Sequence, residues 1–459
     1  MKKRNAVILA AGQGTRMKSK LYKVLHPVLG RPMLEHVLDQ LEAVKLDKRV
    51  TIVGHGAEQV VKLINDRSEC VRQDEQLGTG HAVLQAESLL KDIEGTTIVV
   101  CGDTPLITEK TYKELFEHHE ITGAAATILT ADVPDPTGYG RVIRNGDNEV
   151  EKVVEHKDAN AEERNVTEIN TGTYCFDNQA LFEALHDVSN DNVQGEYYLP
   201  DAVEIIRRNG GKVSGLMTSD FSETLGINDR KALAEAEKIM RRRVNEKHLK
   251  NGVTMLDVDT TYIGMDVIIE QDVMIHPGTH ISGHTVIKEG AEIGPYADIS
   301  DSTIGQESTI QQSVVENSVV GNQVKIGPYA HIRPEADIQD EVKIGNFVEV
   351  KKSTIGSGSK VPHLSYIGDA AIGRKVNMGC GTITVNYDGV KKHRTVIEDD
   401  AFIGCNANLI APLSIGRGSF IAAGSTITKD VPEDSLSVAR GRQTNKEGYA
   451  SRLKNRKNN

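Results

Sequence analysis

The sequence of 459 residues contains no tryptophan and only 7 phenylalanines, which points to a fold that packs mainly small, β-branched side chains. It has no long apolar run. The stretch after Met-Lys-Lys-Arg-Asn, from Ala6 to Gly12, is short and interrupted by glycine, so neither a secretory leader nor a membrane span is expected and the expected location is cytoplasmic. Positive charge is not in excess either: 54 Lys and Arg against 65 Asp and Glu leave a net charge of −11. That balance argues against a nucleic-acid binder, whose affinity rests on a basic surface that neutralises phosphates. The 5 cysteines, Cys70, Cys101, Cys175, Cys380 and Cys405, are odd in number and lack the paired spacing of zinc sites, so reduced thiols are expected.

What the sequence does have is glycine, 42 residues, and a period. Isoleucines recur every six positions at Ile269, Ile275, Ile281, Ile287, Ile293 and Ile299. The register slips through Ile304 and Ile310, then resumes at Ile326, Ile332, Ile338 and Ile344. It returns at Ile397, Ile403, Leu409, Ile415, Ile421 and Ile427. A six-residue period fits neither a helix nor a two-faced strand; it fits a triangular coil in which each hexapeptide forms one side and its aliphatic residue points inward. Residues 383–395 carry no such register and are expected to leave the coil as a loop.

The first half alternates β-rich runs, Ala6–Leu9, Val50–Val53 and Thr97–Cys101, with helix-like stretches, Met33–Val44 and Ala82–Lys91. That alternation predicts a mostly parallel α/β sheet. Arg230 to Lys250 holds neither glycine nor proline and is rich in helix formers, which predicts one long connecting helix. Its cluster Arg241, Arg242 and Arg243 reads as a solvated face. The expected organisation is residues 1–229, a linker helix over 230–251, and a repeat domain over 252–459 that ends in a basic, mobile tail from Arg440.

Two groups of residues carry chemistry. Leu9-Ala10-Ala11-Gly12-Gln13-Gly14-Thr15-Arg16-Met17 follows a strand and precedes helical sequence, a place where backbone N–H groups cradle phosphates. With Thr15, Arg16 and Lys23 it closely resembles the signature of sugar nucleotidyltransferases, although Tyr22 stands where that family usually has proline before the lysine. Fixed cations at Arg16 and Lys23 suit in-line attack at phosphorus, which builds negative charge on oxygen. The resemblance implies that Asp103 and Asn228 hold a divalent cation, Mg²⁺ by family. It implies further that Leu9, Ala10, Ala11, Gly12, Gln73, Gly78 and Thr79 contact nucleotide, and that Gly140, Glu155, Asn170 and Asn228 contact sugar and ribose.

In the second half Arg333 and Lys351 fall on the same side of successive coils, with position 369 expected above them, and two stacked cations make a phosphate pocket. Gly327 to Pro334, Lys351, His363 to Asp369 and Gly381 to Gly389, taken together, resemble the bacterial bifunctional N-acetylglucosamine-1-phosphate uridyltransferases/glucosamine-1-phosphate N-acetyltransferases over essentially the whole chain. The fold so implied is a Rossmann-like nucleotidyltransferase domain, a linker helix and a left-handed parallel β-helix that trimerises. The implied substrates are glucosamine 1-phosphate, N-acetylglucosamine 1-phosphate, UTP and acetyl-CoA, and the product, UDP-N-acetylglucosamine, feeds peptidoglycan. His363 is the implied base, suited by an imidazole's intrinsic pKa to deprotonate an amino sugar. Arg333, Lys351, Tyr366 and Asn377 are implied to hold the sugar phosphate, and Cys380, Asn386, Tyr387, Cys405, Ala423 and Arg440 the acetyl-CoA. Cys380 and Cys405 stand where Ala and Ser are common in the family. Two alternatives remain open at this point: a nucleotidyltransferase whose coil only regulates or oligomerises, and a non-catalytic assembly subunit.

Overall fold

The computed structural model describes residues 3–54 and 57–455; the last four residues of the basic tail lie outside them. The chain divides into two compact units, Met1–Met240 and Arg241–Asn459.

In the first unit the apolar run after Asn5 becomes the strand Lys3–Ala10, the centre of a sheet. Lys48–Val53 and then Glu69–Arg72 pair on one side of it, and Gly95–Cys101 on the other, all parallel. Beyond Gly95–Cys101 lies the antiparallel Glu168–Asp177, followed by Ala126–Asp132 and Val213–Met217. Both faces of the sheet are covered. Ala6, Ile8 and Ala10 pack with Leu34, Val37 and Leu38 of the helix Met33–Glu42, while Val7, Val50 and Val99 pack against Val83, Leu181 and Val203 on the other face. Because Lys3–Ala10 is where the strand order reverses, the crevice at its C-terminal end is the place such sheets offer a ligand. The helix expected over 82–91 begins earlier, at Thr79, and is broken into Thr79–Leu84 and Glu87–Leu90.

The boundary between the units falls inside a continuous helix, Arg230–Lys250. Its Arg241 is not merely solvated: the guanidinium lies 4.5 Å from the centre of the Tyr262 ring, a cation–π contact.

The second unit is a coil with three parallel faces of 11, 10 and 9 strands among the described residues. One aliphatic residue per strand points inward. Ile281, Ile287, Ile293, Ile299, Ile304 and Ile310 are each 0% exposed, and burying one such side chain is worth about 1.5–3 kcal/mol. Stacked on the rungs above and below, these residues form the core. The slipped register has a simple cause: Ile287 pairs with Ile304, and Ile299 with Val315, so those coils are shorter than eighteen residues. Near the other end the loop is narrower than expected. Ile383–Val385 is a strand of the second face, paired with Tyr366 below and Asn408 above. The fully buried Thr384 takes the inward place an aliphatic residue holds elsewhere, and the chain leaves the coil between Val385 and Thr395.

Candidate active sites

In the first unit the C-terminal end of Lys3–Ala10 opens on a cavity of about 300 Å³ lined by Leu9, Ala11, Gly12, Gln73, Gly78 and Thr79, with Gln76 and Glu196. Ala10 is placed differently: its side chain is buried in the core beneath, so only its backbone is offered. Gln76 Nε2 donates to the Ala11 carbonyl at 2.5 Å, and Gln73 Nε2 donates to the Gly78 carbonyl at 3.2 Å. Gly78 must be glycine. Its φ is +117° and a Cβ would lie 2.5 Å from the Tyr197 carbonyl oxygen. Gly14 is held similarly, with φ +67° and Lys23 Cβ 2.5 Å from the place of its missing Cβ, so the turn brings Lys23 close.

Beside the cavity, Arg16 and Lys23 both donate to Asn228 Oδ1, at 2.8 and 2.7 Å, and Lys23 also pairs with Asp103. The backbone ties the two oxygen donors together, since Ile227 N–H donates to the Asp103 carbonyl at 3.0 Å. Two hard oxygens therefore converge on one positive charge. That donor set fits Mg²⁺, which takes one or two protein oxygens and fills its octahedron with phosphate oxygens and water; no cluster of three or more His, Cys, Asp or Glu suited to a metal occurs among the described residues. Gly140, Glu155 and Asn170 also gather: the site of a Cβ on Gly140 lies 3.3 Å from Glu155 Oε1 and 3.4 Å from Asn170 Cβ. Burial raises the Glu155 pKa, and Asp201, Asp158 and Glu196 raise it further.

In the second unit the register sorts the site residues by face. Glu349 pairs with Tyr366 and Lys351 with Gly368 on the second face, and Arg333 N–H donates to the Val350 carbonyl at 2.8 Å, which sets Arg333 on the rung below Lys351. Position 369 is therefore not in that column, because the coil above Lys351 is one residue short. Arg333 Nη1 donates to Glu349 Oε1 at 2.7 Å. Lys351 has its pKa lowered, first by a hydrogen bond with Lys392 and then by desolvation, with the charges of Lys392 and Arg333 adding. Three cations thus crowd the corner between the second and third faces. Asn386 and Tyr387 start the loop there; Asn386 Nδ2 donates to Tyr366 Oη at 3.4 Å, and Tyr387 is bridged to Lys392. Glu349 and Lys392 were not singled out from sequence. The first is an ordinary outward position and the second lies in a segment without a period.

His363 lies elsewhere on the coil. It ends the strand Lys360–His363 of the first face, above Asn346, and its Nδ1 lies 2.9 Å from Asn346 Oδ1. Met378 pairs with Ile403, which carries the same corner up through Cys380 and Cys405, and Asn406 N–H donates to the Cys380 carbonyl at 2.7 Å. Ala423 follows one rung higher, where its carbonyl accepts from Arg440 Nη1 at 2.9 Å. Asn377 is outward on the first face, paired with Lys360. One chain therefore brings His363, Cys380, Cys405, Ala423 and Arg440 along one ridge, and Arg333, Lys351, Tyr366, Asn386 and Tyr387 along another. His363 ends a strand of the first face and Lys351 a strand of the second, so the two ridges run on different faces of the coil.

Residues 5–222 match the nucleotidyl transferase family. Residues 317–352 and 394–429 match the bacterial transferase hexapeptide family, so the coil is the left-handed parallel β-helix of those transferases. Proteins named Bifunctional protein GlmU are similar over full length. That of Geobacillus sp. strain WCH70 is 61% identical over 458 residues, covering 100% of both chains. That of Oceanobacillus iheyensis is 64% identical over 454 residues, 99% of this chain and 100% of its own, and that of Listeria monocytogenes is 58% identical over 457 residues, 100% of each.

Proposed function

The chain belongs to the family of the bifunctional protein GlmU, and on that premise we propose how its two halves divide the chemistry. The protein is a bifunctional transferase of UDP-N-acetylglucosamine synthesis, with acetyltransferase and uridyltransferase activities. We assign the acetyl step to residues 252–459 and the uridyl step to residues 1–229, with 230–251 as linker. The observation that carries the second assignment is the convergence of Arg16, Lys23, Asp103 and Asn228 beside a nucleotide-sized cavity.

In the acetyl step the amine of glucosamine 1-phosphate loses a proton to His363 and attacks the thioester carbonyl. The new N–C bond forms, the C–S bond breaks, and coenzyme A leaves as its thiol. Arg333, Lys351 and Tyr366 hold the sugar phosphate, Asn377 contacts the sugar, and the ridge from Cys380 to Arg440 carries the acetyl-CoA with Asn386 and Tyr387. The placement of the two ridges on different faces of one coil supports a homotrimer in which a neighbouring copy completes each site.

In the uridyl step an oxygen of the N-acetylglucosamine 1-phosphate attacks the α-phosphorus of UTP and pyrophosphate departs. Arg16 and Lys23 neutralise charge as it builds on the phosphate oxygens. Asp103 and Asn228 would hold Mg²⁺, which when bound would supply charge neutralisation on the triphosphate. Gln73, Gly78 and Thr79 hold the uracil end; Gly140, Glu155 and Asn170 hold the sugar. No helix among the described residues is long and apolar enough to cross a membrane, and the cysteines are free. We further infer a cytoplasmic enzyme whose product feeds peptidoglycan precursors.

Mass spectrometry of reactions supplied with acetyl-CoA, glucosamine 1-phosphate, UTP and Mg²⁺, each omitted in turn, tests the assignment. Acetylated sugar phosphate is expected without UTP, and nucleotide sugar only with all four. Acetylation that survives truncation of the coil would sink it.

A further inference from the structure

The outer surface of the first face carries a ladder that the reactions above leave unused. Lys325 pairs with Lys343 and Lys343 with Lys360, in register on three successive rungs, and all three side chains are exposed. Adjacent rungs of a sheet lie about 4.8 Å apart, and like charges directly opposite each other destabilise a sheet. Acidic neighbours elsewhere on the coil relieve such crowding, as in Lys288–Glu270, Arg333–Glu349 and Lys352–Glu335. None of the three ladder lysines has a carboxylate within 4 Å among the described residues.

Two further observations say what the ladder is for. A cavity of about 200 Å³ opens between its rungs, lined by Thr309, Gln311, Lys325 and Lys343, which is room for a phosphate group among hydroxyl, amide and ammonium donors. The ladder also leads somewhere, because the next partner above Lys360 is Asn377, on the face whose edge carries His363. A chain with a net charge of −11 repels anionic substrates at a distance, so a local cationic path raises the encounter rate where the global field lowers it.

We propose that Lys325, Lys343 and Lys360 form a cationic track that captures the phosphate groups of the acetyl-transfer substrates and delivers them along the first face to Asn377. The inference rests on the reading of the second half as the acetyltransferase. The ligand chemistry is phosphate, and it comes either from the acyl donor or from the sugar phosphate.

The test is the full-length triple variant Lys325→Gln, Lys343→Gln, Lys360→Gln, with kcat and KM measured for each acetyl-transfer substrate from low to high salt. At low salt kcat/KM for acetylation falls about tenfold, kcat stays within about twofold, and the difference from the unmodified chain vanishes at high salt. A loss confined to the acetyl-CoA KM assigns the track to the acyl donor, and one confined to the glucosamine 1-phosphate KM assigns it to the sugar; both support it. A variant with unchanged kcat/KM and salt slope for both substrates overturns the track and leaves the acetyltransferase reading standing. An unmodified chain that does not acetylate overturns both. Should the glutamine variant lose uridyl transfer as well, the triple Lys→Arg variant decides: the track predicts that the salt slope returns, and a slope that stays flat refutes it.

Discussion

His363 Nδ1 lies 2.9 Å from Asn346 Oδ1, one rung beneath it on the same corner of the coil. An amide oxygen only accepts, so this contact puts the ring proton on Nδ1 and leaves Nε2 with the lone pair a base needs. With His363 as the proposed base, Asn346 is then a positioning residue. His363→Ala is expected to lower acetyl transfer by about 10²–10⁴-fold with uridyl transfer intact. Asn346→Ala should cost less, roughly tenfold, with the acidic limb of the acetylation pH profile displaced, and Asn346→Asp should restore part of the rate. Measured side by side, an Asn346→Ala profile identical in shape to that of the unmodified chain would remove the positioning role.

The coil was legible because one inward aliphatic residue per hexapeptide is a hard steric requirement, and Ile281 or Ile415 has no other way to satisfy it. The same rule hid the true start of the loop, since Thr384 fills an inward place with a hydroxyl that bonds within the coil, donating to the Gly368 carbonyl at 3.0 Å. It also misplaced position 369, because a coil one residue short leaves no mark on its neighbours' identities. The period tells which residues share a row but not which share a face. His363 lies whole hexapeptides from Lys351, and yet the two stand on different faces. In the first half, Arg16, Lys23, Asp103 and Asn228 were legible only as a constellation, for the fold alone brings Asn228 back to the turn after the first strand.

Removing a divalent cation is expected to separate the two activities. Asp103 and Asn228 offer the two oxygens that converge on Lys23, whereas the site proposed for acetyl transfer uses cations and an imidazole. Chelation is expected to abolish uridyl transfer and spare acetyl transfer, and Asp103→Ala should reproduce the first effect by at least about 10²-fold with Mg²⁺ present. Uridyl transfer that proceeds at full rate under chelation would refute the assignment.

Asp201, at the start of the helix Asp201–Arg208, has its pKa pushed up to about 6 by burial, with Glu204 and Asp158 adding. An unfolded aspartate ionises near 3.9, so between about pH 4 and pH 6 the unfolded chain holds fewer protons than the native one. Stability contributed at this position therefore falls as pH rises through that window. Asp201→Asn is expected to melt at about the same temperature as the unmodified chain at pH 4 and about 2–4 °C higher at pH 7. Thermal unfolding at the two pH values checks this, and a difference that does not grow with pH contradicts it.

Lys351 and Lys392 are close enough for one to lower the other's pKa, with Arg333 adding to the effect and the charge of Asp369 opposing it, and among the described residues only Arg333 of the three is ion-paired with a carboxylate, that of Glu349. Such an arrangement is unfavourable without an anion and favourable with one, because a doubly charged phosphate raises rather than lowers the ammonium pKa values around it. Removing one ammonium should therefore have opposite effects in the two states. Lys392→Ala is expected to leave the ligand-free chain as stable as before or slightly more so, to raise the KM for glucosamine 1-phosphate about tenfold or more, and to reduce the thermal stabilisation that this sugar phosphate confers. Lys351→Ala should do the same. Melting curves with and without glucosamine 1-phosphate, set beside the KM values, distinguish this from ordinary structural damage. A variant destabilised equally in both conditions would show that these lysines hold the loop rather than the phosphate.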